Sequence, residues 1–369
     1  MPRWAQYRYS AARAGANPRE RRFDPSNVAR LAGVWSATLP GPLRGAPAVV
    51  RGLVYAGAAD GSLHVLESPA GTPRWTASLG ATVADSPAVV NGVVWVGTRD
   101  GRLHALDARK GAARWTAALP APPASPAFAD GMVYVAGEGG QVHAFWGSTG
   151  EPRWLAETGA QALSAPAVAH GRLLVGGEDG QVHAHDAGSG QRLWSAPLGA
   201  PVRVTPAVVG GWVYVGSAAG RLAALGEADG RERWSITLGQ EGLTSAAVGG
   251  GLVLVGSADR GLHAIGARNG EVRWSATLAG EPDSPALAGG VVFAGCGDGC
   301  HRAFDARDGA QLWAAATGAP AASSSPVVAD GRLFAVAADG RVHAFAVPPQ
   351  PKQPQPAPAK RKRRRQGRG

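Results

Sequence analysis

Eight tryptophans recur along the chain at intervals of 39 or 40 residues, and this period constrains the fold more than any other feature of the sequence. They are Trp35, Trp75, Trp115, Trp154, Trp194, Trp234, Trp274 and Trp313. A fixed period in this range, with four strands in each period, is typical of a β-propeller blade and not of a helical repeat. The sequence therefore predicts one ring of blades, although 369 residues would also be enough for two average domains.

One copy of the unit, residues 86–115, shows how a blade is built. Two short apolar runs are separated by Asn91-Gly92, a pair that favours a two-residue hairpin. Asp100-Gly101 then turns the chain into an alternating third run, and a fourth run, residues 113–119, contains Trp115. Four short strands joined by tight turns predict a small antiparallel sheet, which cannot stand alone.

The two ends of the repeat predict how the ring closes. Eight units begin at Ala46-Pro47, Ser86-Pro87, Ser125-Pro126, Ala165-Pro166, Thr205-Pro206, Ser245-Ala246, Ser284-Pro285 and Ser325-Pro326. The last unit breaks into prolines after Phe345, whereas residues 35–39, WSATL, match the tryptophan strands without inner strands before them. We therefore predict an all-β, eight-bladed propeller of four-stranded antiparallel blades over residues 35–347, closed by the N-terminal Trp35 strand so that no blade face stays unpaired.

The segments on either side of the repeat differ from it and from each other. Residues 1–34 contain Trp4, Tyr7 and Tyr9 and are predicted to be a lead-in that wraps on the propeller, with a helical turn begun by Ser26 or Asn27. Residues 348–369 are rich in proline and then basic, with no apolar side chain larger than alanine, which predicts disorder.

The net charge of +10 belongs to these ends. Of the 37 basic residues, 15 lie in 1–30 and 350–369, together with only two of the 27 acidic residues, so the intervening part has 22 basic and 25 acidic residues and a net charge of −3. The tail cluster is Lys360, Arg361, Lys362, Arg363, Arg364 and Arg365. Six adjacent cations predict salt-dependent binding of a polyanion, either nucleic acid or an anionic membrane surface; a tail that only aids solubility is the alternative.

Targeting signals are weak in this sequence. There is no run of eighteen apolar residues, and the basic N-terminus is not followed by an apolar stretch of the kind found in a secretory signal. As written, the chain is expected to be cytoplasmic, and it would belong to the cell envelope if its true start lay upstream. We expect a monomer.

The repeated unit resembles a known family. It follows the pattern SPAV-x-x-G-x-VYVGS-x-DG-x-LYALDA-x-TG-x-x-x-W, most closely at 86–115, 165–194, 205–234 and 325–345. This resembles the pyrroloquinoline-quinone-like (PQQ-like) propeller repeat. The resemblance implies a quinoprotein-like fold in which each repeated tryptophan docks between neighbouring blades. Known members are either quinoprotein dehydrogenases or non-catalytic propellers, such as the lipoprotein subunit of the outer-membrane β-barrel assembly machinery, and the fold alone does not choose between them.

Features expected of a dehydrogenase are missing from the sequence. By resemblance, such an enzyme would need an aspartate base, a calcium ion, and usually a vicinal disulfide and a tryptophan platform. This chain has no adjacent cysteines and no Trp-Asp pair, and its uniform units leave no long insertions for a funnel. We therefore favour a non-catalytic scaffold that binds an unidentified protein on a propeller face, with no catalytic, cofactor-binding or metal residues. PQQ and calcium belong only to the alternative, a dehydrogenase that oxidises an alcohol or sugar. An outer-membrane assembly factor is a further alternative if an upstream signal peptide exists.

Six histidines occupy the same position in their blades. They are His64, His104, His143, His183, His263 and His343. Equivalent positions in the blades are spread around the propeller and cannot converge on one ion. Each imidazole is therefore predicted to lie partly exposed on its strand. His183 and His185 share a strand face but lack a third zinc ligand.

The two cysteines fall in one turn. Cys296, Cys300 and His301 form C-x-x-x-C-H, one residue longer than the c-type haem attachment motif. Because Cys296 and Cys300 flank the predicted Asp298-Gly299 turn, either a cross-turn disulfide or two free thiols is expected instead of haem. A disulfide would indicate an oxidising compartment.

Overall fold

A computed structural model describes residues 4–43, 45–319 and 325–349. These residues form eight sheets arranged as a closed propeller, and the predicted fold class is confirmed. Each blade is antiparallel, and a two-residue strand of the lead-in, Ala16–Asn17, adds to blade 7 in parallel with its first strand. From the axis outward, the strands of blades 1–4 are Ala48–Val50, Leu53–Gly57, Ser62–Glu67 and Pro73–Ser78; Ala88–Val90, Val93–Thr98, Arg102–Asp107 and Ala113–Ala118; Ala127–Ala129, Met132–Ala136, Gln141–Trp146 and Pro152–Glu157; and Ala167–Ala169, Arg172–Gly176, Gln181–Asp186 and Arg192–Pro197.

Blades 5–8 repeat this arrangement. Their strands are Ala207–Val209, Trp212–Gly216, Arg221–Gly226 and Glu232–Thr237; Ala247–Gly249, Leu252–Gly256, Gly261–Gly266 and Val272–Thr277; Ala286–Ala288, Val291–Gly295, Cys300–Asp305 and Gln311–Ala316; and Val327–Ala329, Arg332–Val336, Arg341–Ala346 and, from the other end of the chain, Ala32–Thr38.

The burial pattern explains why these sequences form blades. The second strand of blade 2, Val93–Thr98, is buried along its whole length, because apolar side chains on both of its faces pack against neighbouring sheets. The outermost strand, Ala113–Ala118, alternates between exposed and half-buried side chains and has one face toward solvent. Asn91 and Gly92 between the first two strands have φ values of 50° and 78°, as the hairpin they predict requires.

The ring closes through the N-terminal strand, as the sequence predicts. Ala32–Thr38 pairs antiparallel with Arg341–Ala346, and Ser36 lies opposite His343. The strand begins three residues before Trp35, because Ala32 and Gly33 also find partners. Just before it, Val28–Arg30 forms a single 3-10 turn with Asn27 at its N-cap position, where a helical turn is predicted.

The lead-in runs through the centre of the ring, which the sequence did not indicate. Between Trp4 and Asn17 it bonds in turn to the middle residue of the first strand of all eight blades. The backbone N–H groups of Val49, Val89, Val168, Val208, Val248 and Leu287 donate to the carbonyls of Trp4, Ala5, Ala11, Ala12, Ala14 and Gly15, at 2.7–3.1 Å. The side chain of Gln6 exchanges hydrogen bonds with Phe128, and that of Asn17 donates to Val328 O. The inner edges of the blades are therefore paired with the chain's own N-terminus.

Two fully buried arginines anchor the lead-in at the axis. Arg13 donates to the carbonyls of Tyr7, Ser125, Pro126 and Pro166 at 2.8–3.0 Å, and so joins blades 3 and 4. Arg8 donates to Pro285 O and Ser325 Oγ at 2.6 and 3.0 Å. Burial lowers the pKa of each guanidinium to about 10, which still leaves both charged at neutral pH. Within the described ranges, no helix is long and apolar enough to cross a membrane.

Candidate binding face

The first residues of the blades are bonded to one another around one end of the propeller. The N–H of Ala46 donates to Ser86 Oγ at 2.8 Å, and the N–H of Ser245 donates to Ser284 Oγ at 3.1 Å. In each case the hydroxyl belongs to the next blade, one repeat later in the chain. Ser86 and Ser284 are therefore inter-blade acceptors that join neighbouring loops at this end.

An open, polar recess of about 490 Å³ lies among these loops. It is lined by hydroxyl-bearing and small residues, by Tyr7 of the lead-in, and by four charged side chains. The charged residues are Asp85, Arg203, Glu281 and Asp283. Because loops on a rigid scaffold commonly carry binding groups, this end of the molecule is the candidate functional site. We call it the recess face.

The two aspartates of the recess differ in their surroundings. Asp85 is bonded within the fold: its Oδ1 accepts from the N–H of Ser86 at 2.7 Å, and its Oδ2 accepts from that of Ser125 at 3.1 Å. Asp283 has a buried Oδ2 with no hydrogen-bond partner in the described part of the chain. Desolvation raises the pKa of the Asp283 carboxyl to about 7. Asp283 can therefore accept or release a proton near neutral pH, or bind a donor brought by a ligand.

Arg203 and Glu281 are the accessible charges of the recess. Arg203 is paired with Glu178 at 2.7 Å, but its side chain stays 64% exposed, so water screens this pair. Glu281 is exposed as well. Both side chains can be rearranged by an incoming partner at little cost to the fold.

The described residues of the recess do not fit a quinone with calcium. Tyr7 is the one aromatic residue among them, and no tryptophan of this set offers a flat platform for a planar ring. Both oxygens of Asp85 are engaged by backbone N–H groups. Across the described ranges there is no group of three His, Cys, Asp or Glu side chains that could hold a metal ion.

The repeated tryptophans lie between blades. The indole N–H of Trp194 in blade 4 donates to Glu227 O in blade 5 at 3.1 Å, and the ring packs on Gly230 of the same turn. Six further tryptophans make the same bond to the following blade, namely Trp35, Trp115, Trp154, Trp234, Trp274 and Trp313. The indole N–H of Trp75 has no partner among the described residues, although its ring packs on Gly111 in the same way.

The expectation that the repeated histidines are partly exposed is wrong for three of the six. His64, His104 and His183 are buried. In blade 4, Nε2 of His183 lies 3.0 Å from Asp179 of the turn, and Nδ1 lies 3.3 Å from Ser195 Oγ on the outermost strand. Blade 1 repeats this with Asp60 and Thr76. Because the same contacts recur in several blades, we interpret them as a structural feature that fixes the turn, and we call it the histidine lock. The sequence showed it only as the spacing Asp-Gly-x-x-His.

Cys296 and Cys300 are free thiols in the structure, so the cross-turn disulfide is not present. Cys296 is buried with its Sγ 2.9 Å from Gly280 O, whereas Cys300 is partly exposed and its backbone lies opposite Ala316 on the outermost strand. Burial raises the pKa of the Cys296 thiol. His301 points into the core of the blade and is 1% exposed.

His183 and His185 share a strand, where His185 lies 3.0 Å from Gly190 O. The basic cluster Lys360–Arg365 lies outside the described residues, and its binding of a polyanion stays a prediction.

The fold and the recess face define the class of this protein as a closed eight-bladed propeller of PQQ-like repeats. A family model described as "Outer membrane protein assembly factor BamB" matches residues 32–125, 120–241 and 178–353, and the chain belongs to this family. A comparison with proteins of curated function gave no significant match.

Solved structures share the fold at low sequence identity. BamB from Moraxella catarrhalis is 24% identical with a TM-score of 0.75, over 86% of this chain and 99% of that chain. The computationally designed Ika8 protein is 18% identical with a TM-score of 0.77, and the match covers 85% of this chain and 99% of that protein. The quinohemoprotein alcohol dehydrogenase ADHIIG from Pseudomonas putida HK5 is 16% identical with a TM-score of 0.80, and the match covers 97% of this chain and 82% of that enzyme. At these identities the likeness shows the fold alone.

Proposed function

We propose that the chain is a non-catalytic propeller that binds a partner protein on its recess face. The observation that carries this proposal is the occupied axis: the lead-in bonds to all eight blades, and the recess above it is open to solvent and rimmed by charged side chains. An open polar surface on a rigid ring suits the side chains of another protein. It is less suited to a small substrate that must be closed off from water.

Charge reversal on the two ends of the propeller tests this proposal. The double variant R203E/E281R changes only exposed charges of the recess face, so the fold should be kept. Arg268 is exposed in a turn at the opposite end, and R268E serves as the matched control. Quantitative affinity capture from the native host should give a partner that is lost with R203E/E281R and retained with R268E. A partner that both variants retain equally would place the interface elsewhere.

A titration distinguishes the scaffold from a quinoprotein dehydrogenase. Adding PQQ and calcium should leave tryptophan fluorescence unchanged and give no dye-linked oxidation of alcohols or sugars. Saturable quenching together with oxidation would reject the scaffold proposal, whatever the capture experiment gives.

Family membership favours a more specific function for the scaffold, that of an assembly factor at the outer membrane, with the chain in the cell envelope. Under this proposal the partner is another component of an outer-membrane assembly complex. Fractionation of the native host, followed by detection with an antibody, should find the chain with the envelope. Recovery of the full-length chain entirely in the cytosolic fraction would rule out this setting and leave the scaffold proposal untouched.

A further inference from the structure

A second cavity lies at the end of the propeller opposite the recess face, between blades 6 and 7. It has a volume of about 500 Å³ and is walled by the first hairpins of both blades, by the lead-in, and by the last turn of blade 7. Its apolar lining residues include Ala16, Pro18, Leu252 and Leu287. Cavities of roughly 300–1,000 Å³ with apolar walls and few polar groups are typical small-molecule sites.

The repeat shows why the cavity is larger here than at another blade junction. The equivalent crevice between blades 1 and 2 has a volume of about 310 Å³. There, Val50 and Arg51 occupy the first hairpin, where blade 6 has Gly249 and Gly250. In the second hairpin, Val90 and Asn91 of blade 2 are replaced by Ala288 and Gly289 of blade 7. Four side chains are thus removed or shortened around the same opening.

The charged side chains that line this cavity are two arginines. Arg273 and Arg307 line it, and no acidic side chain of the described residues does. Their side chains are 50% and 79% exposed, which places both guanidiniums where the cavity meets solvent. Arg273 is paired with exposed Glu271 at 3.4 Å, and Arg307 with buried Asp305 at 2.6 Å. A guanidinium has five N–H donors, so each arginine can still bind a further acceptor.

We propose that this cavity binds a small amphipathic monoanion, an apolar body with a single carboxylate such as a medium-chain fatty acid. The hydrocarbon would fill the apolar interior, and the carboxylate would lie between Arg273 and Arg307 at the mouth. Charge-assisted bonds from arginine to carboxylate are among the strong hydrogen bonds of proteins, and their fork geometry selects for that group. The site is independent of the recess face.

Fluorescence titration of the full chain with dansyl-labelled undecanoic acid tests the proposal. We expect saturable binding at one site, and a loss of affinity of roughly tenfold or more in R273Q/R307Q, because each substitution removes a charge-assisted bond. The variant R51Q/R109Q makes the same change at the crevice between blades 1 and 2 and should leave the affinity unchanged. The methyl ester of the probe should bind the wild type no better than it binds R273Q/R307Q.

A third variant narrows the cavity without touching its charges. G250H introduces the residue that blade 4 carries at the equivalent position, His170, which also has a positive φ of 46°. A Cβ at Gly250 would have no atom within 4 Å, so the fold should be kept, as thermal unfolding can verify, while probe binding weakens. Four results would each overturn the proposal: no saturable binding, an equal effect of R51Q/R109Q, equal affinity for the ester, or full affinity in R273Q/R307Q.

Discussion

At the scale of single residues, seven of the eight repeated tryptophans pack on one glycine of the following blade among the described residues. A Cβ added to Gly230 would lie 2.5 Å from Cε3 of Trp194, and Gly230 has a φ of +66°. Gly211 has a similar φ of +79° with no atom near its Cβ position, so G211A measures backbone strain alone, about 1–2 kcal/mol. We expect G230A to lower the free energy of unfolding by roughly 1–3 kcal/mol more than G211A does, since the indole of Trp194 must also move.

A double-mutant cycle by denaturant unfolding checks the origin of this difference. In a W194A background the indole is gone, so G230A should cost no more than G211A. W194A alone should cost roughly 3 kcal/mol, because it removes a large packed ring and leaves Glu227 O without its donor. Equal costs of G230A with and without Trp194 would show that the ring does not dock there.

His301 replaces an apolar core residue, and this gives a prediction for stability against pH. It lies opposite Gly295 at the end of the second strand of blade 7. At the equivalent position the other blades have Leu63, Leu103, Val142, Val182, Leu222, Leu262 and Val342. Neither ring nitrogen of His301 has a partner among the described residues, and burial lowers its pKa from 6.5 to about 4.

Between pH 6.5 and 4 the unfolded chain binds a proton at His301 that the folded chain does not, so acidification through this range destabilises the fold. At pH 4 the free energy of unfolding should be lower by roughly 3 kcal/mol than at neutral pH, because each unit of difference between the two pKa values is worth about 1.36 kcal/mol. H301L should be more stable at every pH and should lose this part of the acid sensitivity. Parallel unfolding curves against pH for the two proteins would exclude His301 as the cause.

At the scale of elements, the lead-in is the part of the chain that the repeat does not explain. Arg13 is fully buried and bonds to four carbonyls, which a planar guanidinium can do and a single ammonium cannot. We expect R13K to lower the free energy of unfolding by roughly 3 kcal/mol, because it strands buried acceptors while keeping the charge. R19K, at an exposed position of the same segment, should change it by less than about 0.5 kcal/mol. If R13K changed the free energy of unfolding as little as R19K does, residues 4–17 would contribute little to the stability of the propeller.

The sequence predicted the blades well because their signals are local and repeated. In blade 2, Val93–Thr98 and Arg102–Asp107 begin at the residues that the turn pairs indicate. The path of the lead-in could not be found in this way, because its bonds join residues such as Asn17 and Val328, 311 positions apart. Its small residues Ala11, Ala12, Ala14 and Gly15 allow close approach to the first strands of blades 4–7. The histidine lock was missed because it needs contacts from a turn and two strands and not a contiguous motif.

At the scale of the whole molecule, seven blades are continuous in the chain and the eighth is completed by a segment from the other end. The outermost strand of blade 8 is held by its ladder to Arg341–Ala346, and Trp313 donates to Leu31 O at 2.9 Å just before it. The closing junction therefore joins both ends of the repeat without a covalent link, while every other outermost strand is tied to its blade by a short turn. Stability of the ring should depend on this strand more than on its equivalents.

A matched pair of proline variants tests this dependence. Ala37 lies opposite Val342 in the closing strand, and Ala117 lies opposite Leu103 in blade 2, at the same register and similar exposure. Proline removes a backbone donor and fixes φ in either strand, so both variants disturb one outermost strand locally. In A117P the strand stays covalently joined to its blade by the short turn before it, whereas in A37P no such turn is present and release of the strand also frees the junction with Trp313. We expect A37P to unfold at lower denaturant than A117P, by roughly 1–3 kcal/mol, with faster hydrogen exchange in blades 1, 7 and 8. Equal midpoints and an exchange pattern confined to the substituted blade in both variants would show that the closing strand carries no special share of the stability.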